Sequence, residues 1–245
     1  SMNSIILCEG RTDAILLSYY LGRVYGWCYS KKPPKAYTRI EADSNQEVNW
    51  YKKNDDYLLI YGVGGKDNFQ NVIRKYVSQI LQNYSEKDRF ANIVIIADKD
   101  DRRISEIEEL HRKWLFPYAA KVVNLKWQES MFQDNFGNEQ KIRTLSIIIP
   151  TDKQGALETT LLDAISEDNY DKMIVDKCDG FIQDIRTIAD RYIKTDRLAL
   201  KAHLSSVFAV ISPEKVFSQL DVIIKEVPWE KSETLRNCFE ILKEL

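Results

Sequence analysis

Short apolar runs alternate with longer segments at helical spacing in the first half of the chain. Runs at residues 4–8, 57–61 and 92–97 each precede a polar turn, and each turn leads into a segment whose apolar residues follow a helical period. The third run is continuous and β-branched, which is typical of a strand buried on both faces. Three successive strand-to-helix units predict an α/β fold with a mostly parallel central sheet flanked by helices.

The pattern changes in the second half of the chain. A fourth strand is predicted at residues 143–149, where Pro150 ends it. Beyond it, six segments have helical spacing: 157–165, 170–177, 180–192, 198–211, 213–224 and 230–242. We therefore predict a core at 1–125, with an irregular or β-hairpin insertion at about 27–56. Residues 126–245 are predicted to supply the final strand and a C-terminal helical layer or subdomain.

Composition and charge narrow the function classes. The 245 residues are 44% hydrophobic and 11% aromatic, enough to bury a core, so disorder is excluded. With 35 Lys and Arg against 37 Asp and Glu, the formal charge is −2. Because a broad basic surface is missing, any contact with nucleic acid must be local or mediated by metal.

Hydropathy and cysteine spacing bear on the cellular setting. The longest uncharged run near the C-terminus, residues 202–213, has 12 residues, whereas a membrane span requires about 18 to 20. The four cysteines form no CxxC pair, so neither a zinc site nor a disulfide framework is indicated. We expect a soluble, cytoplasmic protein without a membrane partner.

Acidic residues and glycines follow directly after the predicted strands. Glu9 comes after the first strand, Gly64 and Gly65 after the second, and Asp98 and Asp100 end or follow the third. In a parallel sheet, ligands bind beyond the carboxyl ends of the strands. If the three strands are neighbours, the three carboxylates converge and repel one another unless a cation is present. Mg²⁺ is the natural counter-ion, since it prefers oxygen ligands and keeps waters for substrate phosphates.

The glycine-rich turn does not fit the common nucleotide motifs. It lacks the third glycine of a dinucleotide fingerprint, and Asp67 after Lys66 breaks the P-loop pattern. We predict a turn that passes close to the carboxylates, with Gly64, Gly65, Lys66 and Arg102 contacting substrate. A plain strand-to-helix turn, helix-capping aspartates and a solvated basic face are the alternatives.

The segments ILCEGRTD (6–13), GVGG (62–65) and IIADKD (95–100) together resemble the Toprim domain. This domain is the metal-binding α/β core of topoisomerases, bacterial primases, recombination proteins and OLD-family nucleases. The similarity covers roughly residues 4–125 and implies a Toprim-like, Rossmann-like fold. The order Glu-Gly, Gly-Gly and Asp-x-Asp at strand ends carries the resemblance, since no single element would suffice.

The pattern is also similar to stand-alone Toprim proteins related to OLD nucleases. Those proteins carry a further Asp, a further Glu and a Lys. By this resemblance the Asp corresponds to Asp13, which lies four residues after Glu9, the Glu corresponds to Glu158, and the Lys corresponds to Lys201. Lys194 is a rival to Lys201 for the lysine position. A topoisomerase tyrosine domain and the zinc motifs of primases have no visible counterpart.

This resemblance implies Mg²⁺- or Mn²⁺-dependent hydrolysis of phosphodiester bonds by two metal ions, in DNA repair or anti-phage defence. Asp98 and Asp100 would hold one ion, and Glu9 would bridge or act as general base. Asp13 and Glu158 would complete the second site, and a lysine, here Lys201, would offset charge in the transition state. The implied partners are nucleic acid, DNA in preference to RNA, a partner ATPase and a second copy of the chain.

Two other functions remain open at the level of sequence. The chain could be a non-catalytic Toprim module that assembles with an ATPase or other partner through the Trp and Tyr residues of the insertion. Alternatively, Asp98 could be the covalent nucleophile of a phosphatase or phosphotransferase, which leaves Glu9 and the glycine turn without a role.

Overall fold

The structure is a computed structural model that describes residues 1–37 and 39–245. Within these residues the strands are β1 Asn3–Cys8, β2 Cys28–Ser30, β3 Glu47–Lys53, β4 Asp56–Gly62, β5 Phe90–Asp98, β6 Gln128–Gln133 and β7 Glu139–Ile149. The α-helices are α1 Arg11–Tyr25, α2 Phe69–Val72, α3 Ser78–Asn83, α4 Ile104–Trp114, α5 Leu157–Ile165, α6 Asn169–Ile188, α7 Asp196–Ile211, α8 Leu220–Lys225 and α9 Glu233–Phe239. A π-helical turn, Ile73–Val77, joins α2 to α3.

The strands form one seven-stranded sheet in the order β2-β3-β4-β1-β5-β7-β6. Strand β1 is central and runs parallel to β4 and β5, and β5 runs parallel to β7. The mixed α/β fold and the mostly parallel sheet are therefore confirmed. Cys8 pairs with Gly62 on one side and with Ile96 on the other. This register brings the carboxyl ends of β1, β4 and β5 to the same edge of the sheet. The predicted convergence of Glu9, Asp98 and Asp100 depends on this arrangement.

Hydrophobic layers cover both faces of the sheet. Ile6 faces α1 and the C-terminal helices α5, α7 and α9, whereas Ile5 faces the helices between β4 and β5. Both side chains are fully buried, because successive residues of a strand point to opposite faces. The C-terminal helices thus form a layer on the same face of the sheet as α1. Within the described residues, no helix is long and apolar enough to cross a membrane.

The main departures from the predicted secondary structure lie in the second half of the chain. The expected break in the 170–192 segment is absent, and α6 runs through Gly180, because an internal glycine costs only about 1 kcal/mol relative to alanine. Strand β6, which pairs antiparallel with β7, was not predicted. The 213–224 segment forms a 3₁₀ turn, Pro213–Lys215, followed by the short α8.

The insertion at 27–56 contributes β2 and β3, which extend the sheet sideways beyond β4. Strand β2 pairs antiparallel with β3, and β3 pairs antiparallel with β4. Residue 38 lies outside the described residues.

Candidate active site

Glu9 lies directly after β1, where the glycine turn contacts it. Its carbonyl oxygen accepts hydrogen bonds from the backbone N–H groups of Gly64 at 3.0 Å and Gly65 at 2.8 Å. Its side-chain Oε2 is buried and has no hydrogen-bond partner among the described residues. Burial and the neighbouring Asp98 raise the pKa of Glu9 to about 7. Glu9 therefore has an incompletely compensated charge at neutral pH.

Asp98 ends β5 and connects it to two helices. The residue is only 2% exposed. Its Oδ1 accepts a hydrogen bond from the N–H of Leu157 at 2.8 Å, at the start of α5. Its Oδ2 accepts one from Arg197 Nη2 at 2.7 Å, in α7. Asp98 thus fixes the first turns of both helices against the edge of the sheet.

Asp100 fixes the loop that precedes α5. It adopts a left-handed conformation with φ of 53°, which Asp tolerates better than most residues. Its N–H donates to Gly155 O at 2.6 Å, and Gly155 N–H donates to Asp100 O at 3.1 Å. This reciprocal pair holds the start of α5 in place, so that Glu158, in its first turn, faces the same charged cluster.

Glu158 brings the lysine of α7 to the site. Its side chain is buried, and its Oε1 lies 3.6 Å from Lys201 Nζ. Glu158 Oε2 has no hydrogen-bond partner among the described residues, although Arg197 Nη2 is 3.4 Å away. Lys194 makes no ion pair with the described part of the chain. Of the two candidate lysines, Lys201 is thus the one that the fold places beside the carboxylates.

Asp13 lies in the first turn of α1 and has a structural role. Its Oδ2 accepts a hydrogen bond from Gly10 N–H at 3.1 Å, which closes a capping interaction at the helix N-terminus. Burial raises the pKa of Asp13, and the charges of Asp98 and Glu9 raise it further. Asp13 therefore belongs to the same electrostatic cluster, with one oxygen already engaged.

Arg197 is the central cation of the cluster, and the sequence analysis missed it. Its guanidinium lies within 4 Å of the carboxylates of Asp98, Asp100 and Glu158. Burial lowers the pKa of Arg197, but Asp98 and Glu158 together outweigh this and raise it. The signal was present in the sequence, because residues four apart share a helix face, and Arg197 precedes Lys201 by four residues.

The residues predicted to contact substrate lie beside these carboxylates. Arg102 Nη2 donates to the carbonyl oxygen of Asp98 at 2.9 Å and lies 3.7 Å from Asp100 Oδ2. Lys66, after the glycine turn, lines the same cavity as Glu9 and Arg102. The fold therefore gathers all ten predicted site residues at one edge of the sheet, and their contact with substrate stays a prediction.

The donor chemistry of this edge suits a divalent cation. Glu9, Asp98, Asp100 and Glu158 supply only carboxylate oxygens, the ligands that Mg²⁺ and Mn²⁺ prefer. The buried, unpartnered Oε2 atoms of Glu9 and Glu158 indicate that the available cations do not satisfy the cluster. Within residues 1–37 and 39–245, however, no three His, Cys, Asp or Glu side chains are placed so that they could hold a metal ion. Arg197 acts as the counter-ion in this arrangement.

A family model described as "Protein of unknown function (DUF3226)" matches residues 3–245, nearly the whole chain. The chain belongs to this family. The solved structure of a hypothetical protein from Pyrococcus horikoshii OT3 is similar to this DUF3226 protein with a TM-score of 0.50 and 15% sequence identity. The similarity covers 100% of this chain and 93% of that one. At this identity the likeness concerns the fold alone. No curated protein matches the DUF3226 chain.

The glycine turn of the DUF3226 protein requires glycine at position 64. Gly64 has a φ of 82°, and a Cβ there would lie 2.8 Å from the carbonyl oxygen of Asn45. We expect Gly64→Ala to lower the free energy of unfolding by about 1 kcal/mol or more, as measured by urea denaturation. Gly180→Ala is the matched control. Gly180 lies inside α6 with open space around it, so alanine there should stabilise the protein by up to about 1 kcal/mol. Equal effects at the two positions would contradict this explanation.

Proposed function

We propose that this protein is a Toprim-like, Mg²⁺- or Mn²⁺-dependent nuclease that hydrolyses phosphodiester bonds of nucleic acid. One observation carries the proposal: carboxylates that follow β1 and β5 meet a carboxylate of α5 at a single edge of the sheet, with two cations of α7 beside them. The likeness to Toprim and OLD-type proteins rests on the order of the Glu-Gly, Gly-Gly and Asp-x-Asp motifs. The adjacency of the three strands that carry these motifs supports it.

Each residue has a role in this proposal. Glu9, Asp98, Asp100 and Glu158 would hold the metal, and Asp13 would contribute through its free oxygen. Because no three of the described carboxylates are placed for this now, the side chains would have to turn toward the ion, which would replace Arg197 as their counter-ion. A bound divalent metal would stabilise the charge on the attacking and leaving oxygens of the phosphodiester. Glu9 suits a general base, because catalytic groups work best when the pKa lies near the operating pH, and its pKa is raised to about 7.

The cations of α7 would act on the substrate phosphate. Lys201 is more than half exposed and is bound only loosely to Glu158 at 3.6 Å, so it can turn toward a phosphoryl oxygen. Arg197 is held more firmly by three carboxylates and supplies the main positive charge of the metal-free cluster. A positive charge next to the scissile group stabilises the transition state more than the ground state.

Specific observations disfavour the two alternatives. Most aromatic residues of the insertion are buried, namely Trp27, Tyr37, Trp50 and Tyr51, and only Tyr29 is largely exposed at 65%. An assembly module would need these residues at its surface. The phosphatase alternative gives no role to Glu9 or Glu158, although both carboxylates belong to the same charged cluster as Asp98.

Metal binding can be tested separately from catalysis. Mn²⁺ at ten times its dissociation constant should raise the free energy of unfolding of the wild-type protein by about 1.4 kcal/mol. Asp98→Asn should lose this stabilisation. Asp176→Asn, on the exposed face of α6, should keep it, because Asp176 pairs only with Lys172 there. Thermal unfolding with Mg²⁺, Mn²⁺ or EDTA measures the effect, and an identical metal response of wild type and Asp98→Asn would contradict the proposed ligand set.

The activity itself requires a survey of substrates. Supercoiled, linear and single-stranded DNA, and RNA of matched sequence, should be incubated with Mg²⁺, Mn²⁺ or EDTA. Metal-dependent cleavage of at least one of these is the expected result, with DNA preferred. If none is cut at any metal concentration, the protein is not a nuclease acting alone.

A further inference from the structure

A cavity of about 320 Å³ opens beside Glu9 on the side of the cluster away from α7. We call it the Trp114 cavity, and Glu9, Lys66 and Arg102 line it on the side of the carboxylates. Phe69, His111 and Trp114 also line it. Its volume lies at the lower end of the range of roughly 300 to 1,000 Å³ for small-molecule sites. Because Glu9 lines it, the cavity borders the proposed reaction centre.

Three of the residues that line the Trp114 cavity have stacked rings. Trp114 ends α4 and stacks on Phe69 with ring centroids 5.2 Å apart and an interplanar angle of 15°. His111, one turn earlier, stacks on Trp114 at 5.1 Å and 29°. Phe69 and His111 are fully buried, whereas Trp114 is only partly buried. The packing of the two neighbours fixes the plane of the Trp114 ring and leaves part of that ring uncovered.

Three residues lining the cavity have buried polar atoms that lack a hydrogen-bond partner among the described residues. These atoms are Glu9 Oε2, Arg102 Nε and His111 Nε2. His111 is fully buried, and its other ring nitrogen, Nδ1, already bonds to Ser146 Oγ at 2.7 Å. Buried polar groups of this kind are normally satisfied by protein, water or ligand. These atoms lie beneath the cavity wall, and the surface that a ligand meets combines the partly exposed Trp114 with the side chains of Lys66 and Arg102.

We infer that the Trp114 cavity binds one nucleobase of the nucleic-acid substrate, next to the scissile phosphate. This inference rests on the proposed nuclease function and deepens it. A base stacks on Trp114, while Arg102 and Lys66 contact the adjoining phosphate, which places the next phosphodiester bond at the carboxylates. Stacking on an aromatic side chain accepts any base, because every base has a π-face. The cavity therefore fixes the position, relative to the cleaved bond, of the nucleotide that it holds. It imposes little preference for the identity of that base.

An abasic scan tests this inference. In oligonucleotides with one abasic nucleotide moved along the chain, a single position relative to the cleaved bond should lower kcat/KM of the wild-type protein at least about fivefold. Trp114→Leu should cleave intact substrate correspondingly less well and should lose that position-specific effect. Trp114→Phe, which keeps a ring, should retain most of it. A flat scan for the wild-type protein, or an unchanged scan for Trp114→Leu, would overturn the base site and leave the nuclease proposal standing.

Trp127→Leu is the matched control. Trp127 packs against the opposite face of the sheet and stacks on the Arg143 guanidinium at 4.3 Å, away from the Trp114 cavity. This variant should show the wild-type abasic scan. Melting temperatures of all variants separate a local effect on binding from loss of the fold.

A binding measurement applies even if no cleavage is found. Deoxyadenosine 5′-monophosphate should quench the intrinsic fluorescence of the wild-type protein and of Trp127→Leu, whereas Trp114→Leu should lose the quenching by the nucleotide. Inorganic phosphate alone should not quench. Quenching without cleavage would support the base site and show that the protein is not a nuclease acting alone. The absence of quenching in the wild-type protein would overturn the base site in that case.

Discussion

Glu9→Gln is expected to lower the rate of metal-dependent cleavage by about a thousandfold or more, within the range for loss of a general base together with a metal ligand. Glutamine keeps the size of the side chain but has no charge to bind metal and no basicity to accept a proton. The rate at saturating substrate measures the effect. Glu109→Gln is the matched control, because Glu109 pairs with Arg112 at the surface of α4, and we expect wild-type activity from it. Full activity of Glu9→Gln would remove Glu9 from the site.

The same variant should be more stable than the wild-type protein when metal is absent. The pKa of Glu9 is raised in the folded state, so the ionised form is disfavoured there relative to the unfolded chain. Its contribution to stability is therefore intact at low pH and is lost as pH rises from the ordinary glutamate range through about 7. Urea denaturation in EDTA should show that the free energy of unfolding of Glu9→Gln exceeds that of the wild-type protein at pH 8, and that the difference is much smaller at pH 5. A larger gain at pH 5 than at pH 8 would contradict this assignment.

Arg197→Met is expected to lower the free energy of unfolding by about 2 kcal/mol in EDTA. Removing one partner from a buried ion pair costs about 3 to 5 kcal/mol, and we expect less here because the Arg197 side chain is 34% exposed. The variant leaves Asp98, Asp100 and Glu158 without their shared counter-ion. Mg²⁺ or Mn²⁺ should restore part of the lost stability, because a divalent cation can neutralise the same carboxylates.

Two further variants serve as controls for the loss of stability in Arg197→Met. Arg197→Lys keeps the charge and should lose less stability than Arg197→Met. Arg186→Met removes a pair whose partner, Asp196, is 97% exposed, and exposed pairs contribute about 0 to 1 kcal/mol. Equal losses for Arg186→Met and Arg197→Met, or no response of Arg197→Met to metal, would show that the cluster does not hold the charge that we infer.

Local patterns predicted the strands and the residues that follow them. The apolar runs that become β1, β4 and β5 are strong signals, and a residue directly after a strand has its position fixed by that strand. Glu9, Asp98 and the glycine turn could therefore be predicted, given the single assumption that these strands are neighbours. Strand β6 could not, because its sequence, QESMFQ, has only two inward positions, Ser130 and Phe132, and one of them is polar.

The rest of the site depends on how helices pack, which local patterns do not encode. Arg197 reaches Asp98 from 99 residues further along the chain, and only the docking of α7 against the sheet brings them together. The Trp114 cavity likewise needs α4 to lie beside the turn after β4. His111 and Trp114 on their own are ordinary residues of an amphipathic helix. Family resemblance supplied Glu158 and Lys201, where spacing alone left several charged residues as candidates.

The most direct test of the proposed activity compares the wild-type protein with Asp98→Ala on one nucleic-acid substrate, with Mg²⁺, with Mn²⁺ and with EDTA. Asp98 contacts α5 and α7 and lies at the centre of the carboxylates, so its loss should abolish catalysis. Circular dichroism must show that the variant is folded. We predict cleavage by the wild-type protein with either metal, none in EDTA, and none by folded Asp98→Ala under any condition. Cleavage by the wild-type protein in EDTA, or equal cleavage by both proteins, would contradict a metal-dependent active site at this edge of the sheet.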